Sequence, residues 1–417
     1  MASNPPIPAG APVSLLRQRN YMLLLSSRFL GIIGGQAQTV TVAWQVYALA
    51  RRHGDVRQSA FALGMIGLAQ FLPVVMLTLT AGEIADRYDR KRIYLLCMIG
   101  EAITVCALMG LALADVSAVW PLYVVAFAFG ACRAFLNPAG SALAPMLVPR
   151  EVLPKAIAWN ALAFQAGSIL GPVVGGALVA LSPKASYAAS LGLYLVSAVI
   201  IALIRGETRP QVQAGSRWEL MKEGLAYVWN NKIVFGAISL DLFAVLLGGA
   251  TALLPVFAAD ILHVKAAGFG ILKAASAIGA AVVATILARR PIHHKAGLTM
   301  FAGVAVFGLS TIVFALSKSL ALSVAALAVL GGADMLSVYV RQSLVQIVTP
   351  DPMRGRVAAV STLFIGASNE LGEFESGVAA RLLGPIGATV FGGLGALVVT
   401  GAWAGLFPAL RKADRLV

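Results

Sequence analysis

The chain has 417 residues, 59% hydrophobic and 12% charged. Ordinary soluble domains carry roughly 25% charge, so there is too little polar material here to clothe a water-soluble core. A mean hydropathy of +0.85 agrees, and apolar runs of about 18 to 25 residues predict membrane-spanning helices and exclude a β-barrel built from short alternating strands. The net charge of +14 reads as loop topology, because no soluble basic domain that would bind nucleic acid is present.

In chain order, residues 1–20 (MASNPPIPAGAPVSLLRQRN) are Pro-rich and expected to form a disordered cytoplasmic N-terminus. No cleavage site follows a short apolar region, so the first span is expected to be retained. Spans are predicted over roughly 21–49, 59–81, 93–114, 118–147, 155–181, 186–204, 233–257, 266–288, 298–316, 319–347, 357–382 and 385–408. The stretch 205–232 divides them into an N-terminal six-helix bundle (21–204) and a C-terminal one (233–408), followed by a cytoplasmic tail, 409–417. Within this linker, SRWELMKEGLAYVWNNK sets Trp218, Leu225 and Trp229 at near-helical spacing among charges, which predicts an interfacial amphipathic helix.

Placing both termini in the cytoplasm puts about 21 Lys/Arg on that side against about six outside, which orients the chain. One outward loop, ARRHGDVRQ, runs against this bias with Arg51, Arg52 and Arg57. A shift of 200 residues sets MLVPREVLPKAIAWNALAF beside QIVTPDPMRGRVAAVSTLF, matching Val148 to Val348, Glu151 to Asp351, Ala158 to Ala358 and Phe164 to Phe364. Such internal repeats are common in secondary transporters.

The loop after the second span reads GEIADRYDRKR. Gly82, Asp86, Arg87, Arg90 and Lys91 fall on a pattern that resembles the G-x-x-x-D-R-x-x-R-[KR] signature of the major facilitator superfamily. The resemblance implies an all-α fold of twelve transmembrane helices in two pseudo-symmetric six-helix bundles, and a cytoplasmic latch between the halves. Asp86 suits a helix N-terminus and Arg90 suits an acidic partner, for which Glu151 is nominated. The equivalent loop of the second half, ARRPIHHK, lacks the Gly and Asp, so one latch is expected. In the fifth span, AGSILGPVVGGAL (Gly167, Gly171, Pro172, Gly175, Gly176) resembles the family's G-x-x-x-G-P-x-x-G-G motif, associated mainly with exporters and proton antiporters. Small residues at every fourth position let helices approach closely, and the proline loosens one backbone hydrogen bond.

Charges inside spans carry the remaining signal: Glu101, Asp241, Asp334, Glu370, Glu373 and Glu375 against Arg28, Arg133, Lys273, Arg341 and Arg381. Each costs on the order of 2.5–3.5 kcal/mol at a helix centre, so they are expected to face the bundle interior and one another. In NELGEFESG, Glu370 and Glu373 lie about 60° apart on one helix face while Glu375 points away. Two like charges that close resist joint ionisation, which suits them to hold an exchangeable proton. The competing reading is permanent neutralisation of Lys273 or Arg341.

The proton-coupling candidates are Glu370, Glu373 and Asp241, to which the family resemblance adds Arg133, standing where many members have a buried arginine near an R-x-x-Q-G pattern (here RAFLN). Helices one and seven line the central cavity in the family, which implies Arg28, Gln36, Gln38, Trp44 and Asp241 as substrate contacts. Cys97, Cys106 and Cys132 have no metal-ligand spacing, no nucleophile–base pair or phosphate-binding loop is found, and no metal, cofactor, nucleic-acid partner or enzymatic activity is expected. Stretches 253–280 and 367–385 resemble the branch that holds the enterobactin exporter and related bacterial efflux proteins. The expectation is a monomeric, proton-coupled exporter of a small organic molecule, such as a siderophore or lipophilic drug, in a bacterial inner membrane. An uptake carrier of the same fold and a non-transporting receptor or scaffold are the alternatives.

Overall fold

The computed structural model describes residues 15–206, 208–209 and 217–414. Most of the expected disordered N-terminus therefore lies outside the described residues. Every regular element described is helical, in the order α1 (Arg19–His53), α2 (Val56–Arg87), α3 (Arg90–Leu113), α4 (Trp120–Leu143), α5 (Leu153–Leu181), α6 (Pro183–Ala202), α7 (Arg217–Asn230), α8 (Lys232–Leu247), α9 (Ala266–Arg289), α10 (Ala296–Leu316) and α11 (Leu320–Val348). A last run, Asp351–Leu406, is broken at Gly384 (φ 78°, ψ 164°) into α12 (351–383) and α13 (385–406). That φ is one that glycine alone adopts at little cost.

Ten runs among the described residues are long and apolar enough to cross a membrane, with Asp351–Leu406 taken as one. Helix α1, at 35 residues, is as long but carries Gln36, Gln38, Thr39, Thr41 and Gln45 through its middle. Counting α1 and both parts of the broken run, the chain is a twelve-helix membrane protein, with α7 as the additional linker helix. The seventh span differs from expectation. Helix α8 stops at Leu247, and the chain continues through a 3-10 turn, Ala250–Leu253, one α-helical turn, Leu254–Val256, and a π-helical turn, Phe257–Ile261. Gly249 explains the break: a Cβ there would stand 2.3 Å from the Gly372 carbonyl oxygen, so the chain crosses α12 too closely for a regular side-chain-bearing helix.

Helix ends follow local chemistry. Asp55 accepts from the Gln58 amide at 2.8 Å, Ser182 from Ala185 at 3.1 Å, and Asn231 from Ile233 and Val234 at 3.1 and 3.2 Å, satisfying donors that the first turn leaves open. Between helices of the first half, hydroxyls act as fasteners. Ser27 and Ser197 join α1 to α6 at 2.6 Å, Thr41 and Ser186 join the same pair at 2.6 Å, and the Tyr21 hydroxyl donates to the Ala156 carbonyl of α5 at 2.6 Å. In a membrane each such bond contributes about 0.6 kcal/mol, so the half is held by many small contributions.

The two halves meet along α2 with α12, and α5 with α9. At both crossings glycine backbones touch. A Cβ on Gly64 would lie 2.8 Å from the Gly377 Cα, and one on Gly176 would lie 2.8 Å from the Gly270 Cα. Each glycine has its counterpart roughly two hundred residues away in the other half, as an internal repeat requires. Both crossings lie toward the end of the molecule opposite the termini, termed here the distal end.

Candidate functional site

A cavity of about 590 Å³ lies between the halves, within the 300–1,000 Å³ usual for small-molecule sites. Helix α1 supplies Arg28, Gln36 and Gln38, α4 supplies Arg133, and α12 supplies Glu370 and Glu373. Those six candidates are brought together. The other two are not: Trp44 stacks behind the cavity-lining Phe269 at 6.1 Å, and Asp241 is held by Arg341 at 3.2 Å, with side chains 5% and 3% exposed. Sequence reading placed both on cavity-lining helices, but helix identity does not fix which face points inward.

Arg133 organises the middle of the site. One of its terminal nitrogens donates to the Gln70 side-chain oxygen and to Glu370, both at 3.1 Å, so α4 of one half is tied to α12 of the other. The arginine is 39% exposed and the glutamate 14%, so water in the cavity weakens the attraction on the arginine side. Glu373 lines the same cavity and makes no ion pair among the described residues, as is also true of Lys273 and Glu101. Neither glutamate makes an ion pair with Lys273 or Arg341 among the described residues: Glu370 pairs with Arg133, and Arg341 with Asp241. Glu375 is absent from the lining, as its helical angle requires.

Sequence reading missed Gly67. A Cβ at that position would lie 2.7 Å from the Glu370 carbonyl oxygen and 2.8 Å from the Glu373 Cβ. The bare backbone of α2 thus sets how close both glutamates stand to Arg133. A lone glycine in an apolar helix gives no signal until its neighbour is known.

The fifth-span motif faces two ways. Cβ atoms on Gly167, Gly171 and Gly175 would stand 2.7 Å or less from Ile32, Gln36 and Ala37 of α1, whereas Gly176 meets α9 of the other half. Gly270 in turn would collide with the Pro172 carbonyl at 2.4 Å if it carried a side chain.

At the terminal end, the loop residues hold carbonyls and an acid of their own half. Arg90 donates to the carbonyls of Ala85 and Ala142, Lys91 to those of Ala202 and Ile204, and Arg87 pairs with Glu83 at 2.7 Å. Gly82 is buried in α2, while the side chain of Asp86 lies outside the described residues. Glu151, nominated for Arg90, is instead exposed in the turn Arg150–Val152 and does not hold it. Asp89, which the pattern does not include, caps α3 at the Lys91 amide and accepts from the Thr208 hydroxyl.

The distal end is where the halves are bolted by polar groups. Asp260, on the π-helical turn, accepts from the Tyr47 hydroxyl at 2.7 Å and from Arg51 at 3.3 Å, and Arg57 donates to the Leu382 carbonyl at 3.5 Å. Arg381 sits 4.9 Å from the centroid of the Phe61 ring. The arginines of ARRHGDVRQ, contrary to the loop-charge bias, thus include two cross-half fasteners.

A sequence profile of the Major Facilitator Superfamily matches residues 24–372. The "Uncharacterized MFS-type transporter YfiS" of Bacillus subtilis is 26% identical over 386 residues, covering 88% of each chain. The enterobactin exporter EntS of Citrobacter koseri is 27% identical over 374 residues, 89% of this chain and 84% of that one. Among solved structures, a variant of the nucleoside transporter NupG matches with a TM-score of 0.73 at 14% identity, covering 93% of this chain and all of its own. An inward-facing, unoccupied bacterial homologue of the lysosomal transporter Spinster matches with a TM-score of 0.69 at 15% identity, over 96% and 97% of the two chains.

Proposed function

Because this chain belongs to the Major Facilitator Superfamily, we propose that it is a proton-coupled exporter of a small organic molecule. It works by alternating access in a bacterial inner membrane, with both termini in the cytoplasm and the distal end outside. The halves 21–204 and 233–408 rock about the cavity, and the linker 205–232 joins them. The observation that carries this reading is the Arg133–Glu370 pair, made across the halves at 3.1 Å, with Glu373 in the same cavity and in no ion pair among the described residues.

A proton taken up by this glutamate pair from outside removes one negative charge from the cavity and weakens the cross-half attraction to Arg133. Its release to the cytoplasm restores both. With the distal end bolted through Asp260 and the paired glycines, the present conformation is the one that receives cargo from the cytoplasm. The likeness to an enterobactin exporter and the mixed polar and aromatic walls, with Gln36, Gln38 and Arg28 beside Phe129 and Phe164, favour an amphipathic cargo of siderophore or drug size.

The test uses proteoliposomes of known orientation with a pH-sensitive dye inside. Enterobactin and a lipophilic cationic dye are offered in turn under an imposed pH gradient. Export exchanged for protons is expected from the wild type, and its loss is expected in E370Q, E373Q and the double variant. Full activity in the double variant removes these carboxylates from the mechanism, and accumulation in the opposite direction makes the protein an uptake carrier.

A further inference from the structure

Behind the central cavity, in the second half, a void of about 10 Å³ is lined by Asp241, Asp334, Ser337 and Phe307 among others. That is about the size of one water molecule, and a buried water needs two to four polar partners. The partners are present and unused. The Ser337 hydroxyl, which lines the void, is buried without a hydrogen bond, and Asp334 makes no hydrogen bond or ion pair with any described residue. Asp241 spends one carboxylate oxygen on Arg341. Asp334 also lines the central cavity, so it stands between the two spaces.

The charges around this void do not balance. Asp241 comes from α8, Asp334 and Arg341 from α11, and α10 presents no ionisable side chain in its span. Lys273 of α9 lines the central cavity with Asp334, as do Glu370 and Glu373 of α12, but none of them reaches the void. Two carboxylates and one guanidinium leave one negative charge in excess at the wall between the two spaces, where partial burial in the bundle favours a compensating proton.

We propose that Asp334, Ser337 and the Asp241–Arg341 pair form a second proton site, in which one water bridges the two carboxylates and one proton is shared between them. The proton arrives from cavity water on an Asp334 oxygen, forming an O–H bond there as one breaks in the donor. It passes through the bridging water toward Asp241. The existence of the site is independent of proton-coupled export, and its role in the cycle rests on that reading.

The experiment is infrared difference spectroscopy of the purified, substrate-free protein between alkaline and acid pH, reading the carboxylic C=O stretch. Wild type is expected to show a band that D334N removes, that S337A shifts in frequency, and that E373Q leaves in place. If D334N folds poorly, the S337A shift decides alone. An Asp334 band lost when sodium replaces choline at constant pH overturns the proposal in favour of a sodium site, and a spectrum unchanged by both variants overturns it outright. Loss of pH-driven transport in E373Q with the D334N and S337A spectra unaltered leaves the export reading standing without this site. The Asp334 band without any Glu373 effect on transport does the reverse.

Discussion

Gly377→Val is a test of how the distal end is held shut. A Cβ at residue 377 would lie 2.6 Å from the Gly64 Cα, 3.0 Å from its nitrogen and 3.2 Å from the Ala60 carbonyl oxygen. Carbon atoms prefer about 3.5–4.0 Å, so α12 must withdraw from α2 by on the order of 1 Å. Overpacking of this kind costs about 1–3 kcal/mol. In the proposed alternating-access cycle this crossing opens with the distal end, so the penalty falls on the distally closed state. It should change the ratio of open to closed molecules by about 5- to 150-fold. A cysteine replacing Phe61, with Cys97, Cys106 and Cys132 removed, reports this as its rate of labelling by an impermeant maleimide. The rate should rise by the same factor in G377V and stay unchanged in G110V, since Gly110 has open space where its Cβ would stand. A folded G377V protein that labels at the wild-type rate, or a G110V protein that labels as fast, would refute the reasoning.

Three further outcomes are expected. D260N loses the charged acceptor for Tyr47 and Arg51; these side chains are partly open to water (35% for Arg51, 20% for Asp260), so the loss is about 1 kcal/mol, and labelling at residue 61 should rise about fivefold. R341A strands Asp241 in a dry setting and should destabilise the protein by about 3–5 kcal/mol, whereas D241A/R341A should recover more than half of that in a detergent melting series. G67A should leave expression intact while reducing gradient-driven transport at least tenfold, because the new methyl pushes on the backbone that carries Glu370 and Glu373; wild-type transport would show that this spacing does not matter.

Much of the architecture was legible because a membrane imposes simple rules. Span length, turn residues and loop charge give twelve helices, and α7 forms where Trp218, Leu225 and Trp229 suggested, although the Trp218 side chain lies outside the described residues. The site was legible in part. Glu370 and Glu373 stand out as acids among apolar residues, and helical angle separates them from Glu375. What could not be read was pairing. That Arg133 belongs with Glu370, and Arg341 with Asp241, depends on how separate helices cross, and a list of five cations and six acids permits many matings. The direction of a side chain on its helix is equally hidden, which is why Trp44 and Asp241 fell away from the cavity. Arg51 and Arg57 run against the orientation expected from loop charge, and both make tertiary contacts that the rule does not include.

The distal reversals have a mechanical consequence. A single residue, Ser182, joins α5 to α6, and a single residue, Gly384, joins α12 to α13. Joints this short store no slack, so when an inner helix tilts, its outer neighbour must travel with it as if welded at the tip. An epitope or fluorophore spliced into either joint would cut that linkage without touching the cavity, while the same insertion between α6 and α7 would leave it intact.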